Sequence, residues 1–439
     1  MYSQILHSIL PLSRKDLTIG FFIVSIAIHL TFLLSLQWGF LNQFFNDASH
    51  RKGQAVDFFL IYQAGKDSIS GERIYESIPK DVPYSYQNYR YLPISSFTLG
   101  ILLSIFPPWT SYWVWIIFCE VILILLIILT KTLSKNMASF CLLSSMWLCF
   151  SPLYLEFYMG QFTFFLSAAF FVICYSYKKH RERMLSIIWI LGVLVKFTGL
   201  LLVPLLCKYK KYKTIVICLT ILCTTTLIYF YFHKEDIPTF LYNVSNIGKL
   251  ASYNLHAGNL GFQAFLGIVI KKALPDTNMS FHLLSHRLLL NIQTIAFTAV
   301  KCISYGFIIF SLVITFLVRK ENNFINLFSL WVCTYLLSAG EVWEHHFVLV
   351  LPALIFLYLE RAKKIYLLIF LILAIPTPFI FFDIDTIGPQ HFDPEQYWSL
   401  SVSIAYHAVK ISGVIVLFIC LMRNIFNKGT MAGHVQSDA

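Results

Sequence analysis

Apolar stretches long enough to cross a bilayer recur along nearly the whole chain, with the Lys and Arg residues in short clusters between them, and no water-soluble fold accommodates that pattern. Hydrophobic residues make up 58% of the 439 and charged residues 13%, too little polar surface to clothe a soluble core. The apolar stretches run near 17–40, 109–130, 137–152, 161–177, 214–232, 293–318, 324–338, 346–359, 364–382 and 401–422. The expected fold is an all-α polytopic bundle of about 12 transmembrane helices, a single integral membrane domain over 1–439. Arg14 and Lys15 precede the first stretch without a small-residue cleavage site, which reads as a retained span.

The formal charge of +11 is divided among short clusters between spans rather than laid along one face, so it marks topology and not nucleic-acid binding. Placing Arg14 and Lys15, 131–135, 178–183, 208–213, Arg319 and Lys320, 361–364, and Arg423 with Lys428 in the cytoplasm orients every span. That arrangement requires 93–106 to lie against the outer leaflet without crossing. It also requires 185–206 to enter and return as short helices turning near Lys196. The segments 41–108, 153–160, 233–292, 339–345 and 383–400 then face outward, in a bacterium toward the periplasm or exterior of the inner membrane.

Chemistry-bearing side chains concentrate in those outward segments. Residues 54–67 read as a short amphipathic interfacial helix with Asp57 at its start, where the acid is either a helix cap or a functional carboxylate. Lys196, inside G-V-L-V-K-F-T-G, is an ionisable residue in an apolar run, facing an anionic ligand or snorkelling. Glu120 and Lys301 are expected to pair within the bundle. Glu341, Trp343, Glu344, His345 and His346 crowd a tight turn; adjacent His cannot share one helix face, so an anion-binding role outranks a metal site, with a solvated turn as the alternative. In Y-M-G-Q-F, Glu156 and Gln161 suit a polyhydroxylated ligand, and Gly160 permits close backbone approach. Asp383 and Asp385 form a D-x-D that alone is a weak metal signal, so no cofactor or metal is assigned; Asn243 and Asn278 head N-x-S sequons.

In order, D-F-x-x-x-Y (Asp57 to Tyr62), G-E-R-I-Y (71–75), Y-L-P (91–93), G-Q (160–161), G-V-L-V-K (192–196), G-N-L-G-F-Q (258–263) and W-E-H-H (343–346) resemble the polyprenyl-phosphate-mannose-dependent alpha-1,2-mannosyltransferases, which include mycobacterial phosphatidylinositol-mannoside mannosyltransferases. The Lys196 motif lacks the Pro that usually follows it, and 41–92 is richer in charge than the family pattern. The resemblance implies a GT-C fold whose first external loop carries interfacial helices, and a sugar donor on a polyprenyl phosphate at the outer leaflet. In that reading Asp57 is the base that activates an acceptor hydroxyl, on a lipid or glycan, for inverting attack. Lys196, His345, His346, Arg73 and Arg90 are expected to bind the donor phosphate, and Tyr62, Tyr91, Glu156, Gln161, Asn259, Gln263, Trp343 and Glu344 the sugar or acceptor. The rival function is a transporter or flippase of polyprenyl-linked glycans, disfavoured because polar weight lies in asymmetric loops and no halves match; a purely structural subunit ranks last.

Overall fold

The computed structural model describes residues 14–45, 48, 53–76, 78–85, 89–251, 258–273, 283–318, 323–377 and 398–426. The chain runs through α1 (Arg14–Trp38), α2 (Val56–Ser70), a broken helical segment over 93–103, α3 (Pro108–Leu133), α4 (Met137–Leu148), α5 (Ser151–Met159), α6 (Thr163–Lys178) and α7 (Glu182–Val195). It continues through a 3₁₀ turn (Phe197–Leu202), α8 (Val203–Lys208), α9 (Tyr212–Phe232), α10 (Asp236–Ala251), α11 (Phe262–Ala273), α12 (Leu283–Leu317) and α13 (Phe324–Ser338). A 3₁₀ helix (Glu344–Leu349), α14 (Val350–Arg361), α15 (Lys364–Ala374) and α16 (Leu400–Phe426) follow among the described residues. The protein is an all-α polytopic membrane protein; α1, α3, α9, α16 and Ile295–Leu317 of α12 are each long and apolar enough to cross a bilayer, and α4 with α5, bent by 42° at the break between them, are so together.

Burial separates core from lipid-facing helices. The α13 helix, the 3₁₀ helix at 344–349, most of α14 and most of α6 are buried. By contrast Ile23 on α1, Ile117 on α3, Val216 on α9 and Ile309 on α12 are each more than 60% exposed, which in this composition is acyl-chain contact.

Basic residues gather at one end of this bundle. Lys178 at the end of α6 pairs with Glu360 on α14 at 3.3 Å, and Lys208 donates to the carbonyls of Thr315 and Val318 at the end of α12. Lys211 pairs with Glu182 at 2.6 Å and Thr214 with Ser186 at 2.9 Å, so the chain that departs at 182 is back beside itself by 211. Between those points the helix breaks at Lys196, whose backbone is extended, and the Trp189 indole donates to the Gly199 carbonyl at 3.0 Å across the two arms. The hairpin turning at Lys196 is the geometry the basic clusters require.

Three expectations are corrected. Val56–Ser70 is not an amphipathic surface helix: every residue from Val56 to Gly65 is buried, because the 93–103 segment and α5 cover the faces a surface helix would leave wet. The stretch 153–160 is not a loop, since Pro152 starts α5 after the bend and Gly160, at φ +66°, ends it. Glu120 does not pair with Lys301; both its carboxylate oxygens lie 3.0 Å from Nε2 of His29 on α1. The 233–292 stretch carries α10, α11 and the first turns of α12. Asp383, Asp385 and Asn278 lie outside the described residues.

Glycines set the closest approaches. A Cβ on Gly65 of α2 would lie 2.1 Å from the carbonyl carbon of Gly100, so the two backbones touch where α2 crosses the 93–103 segment. That segment has a wide π turn at Ser96–Gly100, and the Ser96 hydroxyl donates to the Ala64 carbonyl at 2.7 Å. A Cβ on Gly160 would lie 2.4 Å from that of Phe58, which docks the end of α5 on the start of α2.

Candidate active site

Asp57 sits in the first turn of α2, 8% exposed. The residue that caps this helix is Ala55, with no side-chain cap bond, so Asp57 does not serve as the N-cap. Ala55 is held in the left-handed region at φ 63°, where its amide donates to the Tyr158 carbonyl at 2.7 Å. That bond fixes the start of α2 to α5 and thereby aims the Asp57 turn at the Glu156-bearing helix.

Lys196, half-buried at the hairpin tip, donates from Nζ to the Thr163 hydroxyl at 2.6 Å. The carboxylates whose charge bears on it are Glu156 and Asp57. Glu156 is 1% exposed; Oε2 accepts the Phe164 amide at 2.8 Å, and Oε1 has no hydrogen-bond partner. Thr163 at the start of α6 thus links the ammonium to the acid. Burial pushes the Tyr91 phenol well above its usual range, and the charges of Asp57 and Glu156 push it further, so it remains a protonated donor. The amide oxygen of Gln161, 9% exposed, has no partner. One cation, two carboxylates, a phenol and an amide therefore meet where the ends of α2, α5, α6 and α7 converge.

The W-E-H-H turn packs on the same helices. The Ser167 hydroxyl of α6 donates to the Val348 carbonyl at 2.7 Å, and the 3₁₀ helix at 344–349 lies against α5. The His345 and His346 rings stand edge to face at 4.4 Å, both buried. Nδ1 of His346 accepts the Trp343 amide at 3.3 Å, which puts the proton of a neutral ring on Nε2. The His346 ring stands 6.1 Å from that of Tyr335, which hydrogen-bonds Thr198 beside Lys196 and senses the charge of Glu156. Arg90 reaches Glu341 of this turn at 3.6 Å.

The other residues expected to touch the ligand make contacts within the protein. Nε of Arg73 pairs with Asp236 at the start of α10 at 2.7 Å and its Nη1 with Glu76 at 2.6 Å, away from the cluster. Tyr62 donates to the Phe106 carbonyl at 2.8 Å. Asn259 clips its segment to the turn: Oδ1 accepts the Gly261 and Val342 amides at 3.1 and 3.0 Å, and Nδ2 donates to the Gly340 carbonyl at 2.9 Å. Gln263 donates to the Ser338 carbonyl at 2.7 Å. Glu344 forms a buried ion pair with Lys410 of α16 at 3.1 Å and accepts the Thr377 amide at 2.9 Å. The amide of Asn243 is likewise buried, donating to the Tyr89 carbonyl at 3.2 Å. Arg73→Ala is expected to lower thermal stability by about 1–3 kcal/mol, because it leaves the buried Asp236 carboxylate with the Tyr229 hydroxyl in place of its ion pair, and to leave the transfer rate of folded protein within about twofold. A rate loss in stably folded Arg73→Ala, with donor KM raised, would return Arg73 to the site.

Sequence reasoning missed Thr163, Lys410 and His29. His29 and Lys410 carried the same signal as Lys196, an ionisable residue in an apolar run. Thr163 carried none, because a hydroxyl in a transmembrane helix commonly bonds its own backbone. Among the described residues no group of three or more His, Cys, Asp or Glu has a metal-holding arrangement.

Residues 89–352, more than half of the chain, match the sequence model of glycosyltransferase family 87. The chain belongs to that family, whose activity is glycosyl transfer, and is an integral membrane enzyme of that class. No curated protein matches the chain.

Proposed function

We propose that this member of glycosyltransferase family 87 moves a hexose, mannose in the first instance, from a polyprenyl phosphate to a hydroxyl of a lipid or glycan acceptor at the extracytoplasmic face of the bacterial inner membrane. The observation that carries the reading is the meeting of Asp57, Glu156 and Lys196 at the end of the bundle away from the basic helix ends. Nucleotide sugars are confined to the cytoplasm, so a site on the opposite side takes its sugar from a lipid carrier whose tail stays in the bilayer.

In this mechanism the Asp57 carboxylate removes the proton of the acceptor hydroxyl as that oxygen attacks C1, and the C1–O bond to phosphate breaks in the same inverting step. The bonding pair leaves with the phosphate, which departs as a stable anion and needs no acid partner. Lys196 stabilises the charge that develops on the leaving oxygen, with Nε2–H of His346 and the neighbouring His345 as further donors. Tyr91 donates to the sugar or acceptor, and the unpartnered oxygens of Glu156 and Gln161 accept from its hydroxyls.

Purified protein incubated with radiolabelled polyprenyl-phosphate mannose and a membrane extract is expected to transfer label into a new glycolipid or glycan. Movement of intact donor between leaflets without bond cleavage would favour the transporter reading instead. In the same assay Lys196→Ala is expected to raise donor KM at least tenfold and to slow turnover, the loss of about 1.5–3 kcal/mol of charge-assisted bonding. Normal donor kinetics in that variant would take Lys196 out of the site.

A further inference from the structure

We infer that Lys410, on α16 and beyond the family-matched residues, is a positioning residue that fixes the His345–His346 turn of the active site. This deepens the reading above, since it assigns that turn to the donor phosphate.

The observation is a buried three-way junction. Lys410 is 0% exposed, and its Nζ reaches a Glu344 carboxylate oxygen at 3.1 Å and the Leu373 carbonyl at 2.7 Å, and also donates to the Ile375 carbonyl. The two carbonyls belong to the end of α15, where a helix leaves its last acceptors unpaired and its dipole negative. The same carboxylate oxygen accepts the Thr377 amide at 2.9 Å. One ammonium thus ties α16 and α15 to the residue immediately before His345.

Nothing in hydrophobic packing requires a charged pair there. A buried ion pair adds little net stability over apolar side chains of the same shape, while it dictates geometry through directed bonds. What it dictates here is the start of the 3₁₀ helix at 344–349, in which His346 accepts the Trp343 amide and meets the Tyr335 ring edge to face. From the other side Asn259 binds the backbone of Gly340 and Val342. The turn is therefore gripped at both ends, at 340–342 by Asn259 and at 344 by Lys410, and the histidines stand just past the second grip.

The test separates positioning from charge neutralisation in the full-length protein. Lys410→Met alone strands the Glu344 charge and is expected to lower the unfolding temperature sharply. Glu344→Gln with Lys410→Met removes both charges at nearly constant shape and is expected to recover most of that loss. In the double variant amides 340–349 should nevertheless exchange with deuterium faster than in wild type, with α13 unchanged, and donor KM should stay raised about tenfold while Lys410→Arg retains a near-normal KM. Unchanged exchange at 340–349, or a donor KM restored with stability, overturns the inference and leaves the pair as compensated burial. Because exchange needs no substrate, faster exchange in a protein that fails to use polyprenyl-phosphate mannose supports the inference and rejects only the donor assignment.

Discussion

Asp57→Asn is expected to slow glycosyl transfer by about 10²- to 10⁴-fold, the usual contribution of a positioned general base, while leaving the protein folded. The substitution changes one oxygen to nitrogen and nothing in shape, and Glu156 stays behind to balance Lys196, so no buried cation is stranded. Turnover should therefore fall without a matching change in unfolding temperature. Initial rates with saturating donor, set beside thermal unfolding of the same preparation, measure both. Wild-type turnover in folded Asp57→Asn would sink the base assignment, and would leave Asp57 as a partner that merely offsets the ammonium.

The largest structural effect is expected at Gly65. Any side chain there places Cβ 2.1 Å from the Gly100 carbonyl carbon, and because the obstacle is backbone it cannot swing aside as a side chain can. Overpacking of a tight core costs about 1–3 kcal/mol when side chains absorb it. A backbone collision must instead push α2 off the 93–103 segment, so Gly65→Ala is expected to cost at least that and to abolish recovery of monodisperse protein from detergent. Gly306→Ala on α12 is the control, since nothing lies within 4 Å of its added Cβ, and it should behave as wild type. Well-folded, active Gly65→Ala would show that the crossing is looser than the structure describes.

How much of this was legible in the sequence depends on whether a residue announces itself against its surroundings. Lys196 did, because a cation in G-V-L-V-K-F-T-G has few bland uses, and the same clusters that orient the spans demand the chain reversal found there. The long lipid-facing helices were equally plain from hydropathy. Burial of α2 was not, because Asp57, Gln63, Lys66 and Asp67 read as a wet face. Only the fold reveals that α5 and the 93–103 segment cover it. The α5 helix was lost for a local reason, as Pro152 looks like the end of a span when it is the first turn of a bent continuation. The motif G-N-L-G-F-Q was visible, but its polar groups bond to backbone across more than 70 residues of sequence, a pairing no local pattern encodes.

The reversal at Lys196 has one more effect. A lysine midway along a straight helix would have to reach past neighbouring turns for partners, with hydrocarbon on at least one flank. Set at the C-terminal end of α7, it stands instead where the peptide dipoles of a 14-residue helix accumulate negative potential. The helix end thus adds a fixed negative potential, worth on the order of 0.3–1 kcal/mol, to the carboxylates of Glu156 and Asp57 that face the ammonium.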